Sequence, residues 1–203
     1  MMEAAMTLTE VRLRIPVADG DLVPPPGLFL HQSPLHGPGH VARVIVHGLR
    51  LVAAAGLVEE TSRLWAAAYL HDIARQHDGY CSRHGADAWA RLKTLPEAEA
   101  LLARAGVTRE DYPAIQTAVT NHCRGEIPRD HPHWTLTALL KDADGLDRVR
   151  LGDLDPRQLR HREAKSMVAF AEALYAATAG WPPGPEWAER LWPEADRLAA
   201  GLA

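Results

Sequence analysis

Histidine is the residue type whose placement suggests chemistry: the 203-residue chain carries eleven, several of them close to aspartates. Four places stand out. They are His36 and His40 in LHGPGHVARV, the doublet His71-Asp72, the intervening His84 and His122, and Asp144 in LLKDADGLD. Imidazole and carboxylate are the usual donors to divalent transition metals, and they also do general acid–base work. The doublet closes an Ala-rich apolar segment, where a charged Asp and a titratable His are tolerated only with partners. Adjacent residues inside a helix diverge by about 100°, so both can face one ion only if the helix ends there.

Spacing constrains the other candidates. Asp142 and Asp144 point to nearly opposite sides of a helix, so only one of them can join a given ion, and Leu140, Asp144, Asp147 and Arg148 share a side. His40 and His47 lie on one helix face, but seven residues at a rise of about 1.5 Å put them about 10 Å apart. His47 is therefore expected to be structural. Gly37, Pro38 and Gly39 separate His36 from His40, so this pair reads as a loop residue and a helix start. His36 reaches the site only if the loop folds back. Cys81 and Cys123 stand near His84 and His122; thiolate ligation would favour zinc, while small buried hydrophobes are the plainer reading.

The elements that must position these residues are mainly helical. Residues 9–15 alternate, with Val11, Leu13 and Ile15 on one side, which predicts a short half-buried strand ending at Pro16. Residues 16–39 hold six prolines and several glycines and read as a long arm. Helical periodicity begins near residue 39 with Val41, Val44, Ile45, Leu49 and Val52, and Gly56 marks a stop. Further helices are predicted over about 59–73, 82–93, a short one after Pro96, and 109–123 with Thr108 as cap and Asp111 three residues on. Those at about 135–151 and 156–179 follow. Pro182, Pro183 and Pro185 then break the chain before a last helix at about 186–202. The expected division is a strand and arm at 1–35, a helical metal-binding domain at 36–178, and a C-terminal helix at 179–203 packed on it. Trp181, Trp187 and Trp192 are suited to anchoring that helix, or to a homodimer contact.

Bulk properties narrow the function. Apolar residues at 47% and charged residues at 24% describe an ordinary globular chain. A net charge of −4 gives no general grip on nucleic acid. The basic residues from Arg148 to Lys165 are interleaved with Asp153, Asp155 and Glu163, as on a salt-bridged solvent face. Two unlike cysteines, no leader-like N-terminus and no apolar run of membrane length point to the cytoplasm, with no membrane partner.

His40 followed four residues on by Val44, the doublet His71-Asp72, and Asp144 in Ala-Asp-Gly-Leu resemble, in that order, the HD superfamily of metal-dependent phosphohydrolases. The resemblance covers about residues 36–150. It implies an all-helical bundle and a divalent metal (Mn, Fe, Co, Ni or Zn) held by His40, His71, Asp72 and Asp144, leaving Asp142 to face solvent or support the ligands from behind. The ion would activate water and stabilise charge on a phosphoryl group, with Asp72 and His122 as catalytic residues. His84 and His122 resemble the extra histidines of some branches, which hold a second metal, bind phosphate or protonate the leaving oxygen. Arg75, His84, His36 and Lys141 would contact the phosphate of a small-molecule substrate, expected to be a nucleotide. Where the branch that dephosphorylates deoxynucleoside monophosphates has a Glu, three residues after the doublet, this chain has Arg75. Asp78-Gly79-Tyr80 also differs from the signature of the cyclic-dinucleotide branch. The expected activity is hydrolysis of a phosphomonoester or phosphodiester, and the other reading is a non-catalytic module that binds a metal or nucleotide.

Overall fold

The computed structural model describes residues 6–181 and 186–202, and its architecture is mainly α. The proline break at Pro182, Pro183 and Pro185 lies outside the described residues. At the centre is α2 (Pro38–Ala55), which opens on Pro38, a residue suited to a first turn, and stops at Gly56 in the left-handed region with φ 68°. Every residue from His40 to Leu49 is buried, so α2 is a core helix walled on all sides rather than a surface one. α3 (Thr61–Leu70) and α7 (Trp134–Leu146) pack against it. Gly48 sets how closely they come, because a Cβ there would lie 3.1 Å from Leu64 Cδ2 and 3.7 Å from Ala143 Cβ.

Around this layer, α4 (His84–Leu92) packs on α6 (Tyr112–Asn121), and α6 on α3 and α7. α5 (Pro96–Arg104) links α4 to the 3₁₀ turn Arg109–Asp111, where Thr108 and Asp111 form the expected reciprocal cap. The last helices are α8 (Arg162–Ser166), α9 (Val168–Thr178) and α10 (Glu186–Gly201). Trp187 and Trp192 of α10 are buried in the core, and α10 packs on α9.

Three sequence expectations are corrected. The segment read as a strand is a helix, α1 (Leu8–Arg12), and no strand occurs among the described residues. Thr7 and Glu10 cap each other's backbone, and Leu8 and Val11, three residues apart, bury one helical face, while Leu13 is 64% exposed. The alternation through Leu13 was coincidental. The arm holds short 3₁₀ turns at Asp19–Asp21 and Pro26–Leu28, and it is fastened down: Trp65 Nε1 donates to Leu22 O at 2.9 Å, and Leu30 N to Ile73 O at 3.0 Å.

The helix expected over 156–179 is broken into a turn at Pro156–Gln158, then α8 and α9. The cause is Asp142, which is fully buried and does not face solvent. Its carboxylate accepts from the backbone N–H groups of Arg160 and His161 at 2.8 Å each, from Arg160 Nη1 at 3.1 Å and from His161 Nδ1 at 2.8 Å. Those bonds hold residues 159–161 in extended chain, which a helix could not supply. The helix expected to reach residue 151 ends at Leu146 and tightens into a 3₁₀ turn, Asp147–Leu151.

Candidate metal centre

The doublet follows the last residue of α3, so His71 and Asp72 stand at a helix end and both turn inward. His40 comes from the first turns of α2, and Asp144 from α7. His40 Nε2 lies 3.2 Å from His71 Nε2, 3.6 Å from Asp72 Oδ2 and 3.4 Å from Asp144 Oδ1. His71 Nε2 is 3.7 Å from the same Asp72 oxygen. Donors bound about 2.1 Å from one ion stand about 3.0 Å apart at a right angle and about 3.4 Å apart in a tetrahedron. The distances from His40 to His71 and Asp144, 3.2 and 3.4 Å, fall in that range, and those to Asp72 Oδ2, 3.6 and 3.7 Å, lie just beyond it.

The other carboxylate oxygen of Asp72 faces a second pair. His84 Nε2 is 3.1 Å and His122 Nε2 3.6 Å from Asp72 Oδ1, and the two imidazole nitrogens approach to 2.8 Å. Cys123 stands with His84 and His122 in a group whose atoms could hold an ion, which keeps the thiolate reading beside that of a small buried hydrophobe. Asp72 therefore stands between two clusters, one oxygen to each. Arg75 Nε donates to Oδ1 at 3.0 Å, and Arg75 Nη1 reaches the carbonyls of His77 and Gly79.

The outward ring nitrogens decide what the inward ones can do. His40 Nδ1 meets Asp147 Oδ2 at 2.7 Å, His71 Nδ1 the Ala68 carbonyl at 2.6 Å, His84 Nδ1 the Cys81 carbonyl at 2.8 Å, and His122 Nδ1 the Val119 carbonyl at 2.6 Å. These partners only accept, so each Nδ1 carries a proton, and a ring without a second proton turns an Nε2 lone pair inward. Two pairs of lone pairs thus face each other at 2.8 and 3.2 Å with carboxylates alongside. Such an arrangement requires positive charge between the rings, from a cation or an extra proton.

The electrostatics agree. Burial pushes His71 down to about 3, which keeps it neutral. Burial is the largest influence on His84 and opposes its charge, yet the hydrogen bonds to Asp72 and Cys123 and the Asp72 charge together outweigh it and lift His84 to about 10, so without a cation this pair takes a proton. Burial works against the Asp72 and Asp144 carboxylates, but the histidines around them hold both well below the usual range. For Cys123 burial would raise the thiol, and the hydrogen bond from His84 with the nearby His122 brings it down to about 7.

Asp147 was not singled out as a site residue, although its place three positions after Asp144, on the same helical side, was the available signal. It is fully buried, binds His40 Nδ1, and accepts from Arg43 Nε at 2.6 Å and Arg43 Nη2 at 3.1 Å. Burial alone would raise it; the His40 and Arg43 contacts bring it down to about 2. Arg43 and Asp147 together fix the His40 ring.

The substrate-binding expectations fare differently. His36 does fold back, its ring 5.9 Å from that of His40, and its Nδ1 pairs with Asp78 Oδ1 at 2.9 Å. Lys141 is not available to a phosphate: its ammonium donates to the carbonyls of Arg124 and Gly125 and to Glu126, at 2.7, 3.0 and 3.2 Å. Arg75 is likewise committed to Asp72 and to its own loop. His84 belongs to the second nitrogen pair. His122 sits there too, both nitrogens engaged, as a ligand-type group rather than a free proton donor. His47 is buried with neither nitrogen hydrogen-bonded, matching its structural reading.

A recess of about 140 Å³ opens beside His122 and Asp144, with Arg148 and Arg160 on its walls. Asp144 and His122 are the ligand-type residues that meet it, 29% of the Asp144 side chain being exposed. Comparison of the chain with protein-family models, with curated proteins and with solved structures gives no match. No described helix is long and apolar enough to cross a membrane.

Proposed function

We propose that this protein is a metal-dependent phosphohydrolase of the HD type, acting on a phosphomonoester or phosphodiester, with a nucleotide as the favoured substrate class. One observation carries the reading: four histidines spend their Nδ1 protons on fixed acceptors and aim their Nε2 atoms at the two oxygens of Asp72. His40, His71, Asp72 and Asp144 would hold one divalent ion, and His84, His122 and Cys123 with Asp72 a second. Imidazole and carboxylate suit Mn, Fe, Co, Ni or Zn, and the thiol at the second position favours zinc there. Such ions polarise a phosphoryl oxygen and make water acidic enough to attack it.

The chain's own groups would do the rest. Asp147 holds His40 in the tautomer that ligates, and Arg75 holds Asp72 between the two clusters. The recess is large enough for a phosphoryl group, so the remainder of a nucleotide would extend outward from it. Arg148, half exposed and paired with Asp153, would face the phosphoryl oxygens, while Arg160 on the same wall is spent on Asp142 and Glu126. Two unpaired cysteines suit a reducing cytoplasm, the location we propose. A second reading, a module that keeps metal or nucleotide without turnover, is favoured by the internal commitment of Arg75 and Lys141, the cations that sequence spacing offered to the substrate.

The deciding experiment is elemental analysis of the purified protein and its His71→Ala/Asp72→Ala variant after reconstitution with each metal, with hydrolysis of p-nitrophenyl phosphate and bis(p-nitrophenyl) phosphate measured in parallel. One or two ions per chain and hydrolysis, both lost in the variant, are expected. Binding without turnover on either ester would favour the module, and absence of metal in both proteins would refute the enzyme reading and the metal-binding form of the module.

A further inference from the structure

A second, much larger cavity lies on the far side of His40. It measures about 780 Å³, within the range of small-molecule sites, and is enclosed by the proline-rich arm, the start of α2 and the end of α9, with Trp181 and Trp187. His40 is its one residue in common with the metal centre, and His40 turns Nε2 toward His71, Asp72 and Asp144. The two chambers are therefore separate.

The lining is specific in character. Val23, Pro24, Pro34, Trp181 and Trp187 make apolar walls, with the two indoles edge to face at 5.8 Å and 80°. Arg43 is the one cation among the described lining residues, and no carboxylate accompanies it. Arg43 is buried, 5% exposed, and gives Nε and Nη2 to Asp147; among the described residues none of its hydrogen bonds uses Nη1. Gly39, also on the wall, leaves that nitrogen accessible: a Cβ there would stand 3.8 Å from Nη1 and 3.7 Å from Trp187 Cζ2. Arg43 shares Asp147 with Arg150. A desolvated guanidinium donor at the floor of an apolar, indole-walled chamber selects an anion carried on an apolar body.

The geometry points to a binding site for an amphipathic monoanion, a flat or chain-like apolar molecule with one carboxylate, whose acid group meets Arg43 Nη1 and whose body lies between the arm and Trp181 and Trp187. The site is independent of the phosphohydrolase reading, because its contacts involve none of the inward-facing ligand atoms.

The test is calorimetric titration of 2-naphthoate, and of its neutral counterpart 2-naphthalenemethanol, into the full chain freed of metal by chelation, so that carboxylate–metal contact plays no part. Saturable binding of one naphthoate per chain, at least tenfold tighter than the alcohol, is expected. Arg43→Gln should abolish the preference for the anion. Ala179→Trp, at an exposed position on the cavity lining just after α9, should weaken both probes at least tenfold without disturbing the fold, and it decides the matter if Arg43→Gln fails to fold. Equal affinity for acid and alcohol, binding unchanged in Ala179→Trp, or no binding at millimolar naphthoate would overturn the proposal.

Discussion

Gly85 offers a sharp test of how the second histidine pair is held. It is the second residue of α4, one after His84, at the crossing with α6. A Cβ added there would overlap the Val119 carbonyl oxygen and lie 3.0 Å from the Val119 carbonyl carbon and 3.1 Å from His122 Nδ1. Non-bonded carbons settle at roughly 3.5 Å or more, so α4 must retreat by at least about 0.5 Å, and further to clear the oxygen. Val119 O is also the acceptor that fixes the His122 ring, so the strain falls on the bond that sets its tautomer. Gly85→Ala is expected to cost about 1–3 kcal/mol through overpacking, a fall in Tm of roughly 3–10 °C for a chain of this size. It should also remove the ion assigned to His84 and His122 while leaving the one at His40 and His71. Thermal unfolding of the metal-free protein and elemental analysis after reconstitution read these separately. Gly27→Ala, with nothing within 4 Å of its Cβ, is the control. Unchanged Tm and unchanged metal content in Gly85→Ala would refute the close-approach reasoning.

Asp147→Asn keeps the shape of the contact with His40 and Arg43 and removes its charge, so metal affinity at the first site should fall by about 10- to 100-fold, as for other groups that orient a ligand; competition with a chromogenic chelator measures it, and an unchanged affinity would mean that Asp147 only fills space. His47, pushed down to about 4 by burial, binds a proton more readily unfolded than folded. Its contribution is intact above about pH 6.5 and is lost as pH falls through 4, a swing of about 3 kcal/mol at 1.36 kcal/mol per unit. Urea unfolding at pH 7 and pH 4.5 should therefore show the wild type losing about 2–3 kcal/mol more than His47→Phe, while the variant retains its metal and His40→Ala does not. Equal losses in wild type and His47→Phe would show that His47 is protonated in the folded state.

Helical periodicity, the Thr108–Asp111 cap and the Gly56 stop were legible in the chain because each depends on residues within a few positions of one another. The same holds for the placement of His71-Asp72 at a helix end and the exclusion of His47 from the site by helical rise. Local pattern also misled: Val11, Leu13 and Ile15 alternate as a strand would, while the Thr7–Glu10 cap makes the segment a helix. Long-range contacts were not legible at all. Asp142 was expected to face solvent or to support the ligands from behind, yet it is buried against Arg160 and His161 and breaks the helix predicted there; Lys141 looked free, yet its three donors are taken by the loop after α6. The two-cluster arrangement at Asp72, the Nδ1 partners that fix the ring tautomers, the anchoring by Asp147 and the chamber behind His40 exist only once α2, α3, α6 and α7 are packed. Residue types and local spacing determine which donors this protein has. Which of them meet, and which are consumed by the backbone, depends on burial, since a charged or lone-pair-bearing group taken out of water binds whichever partner the packed helices bring to it.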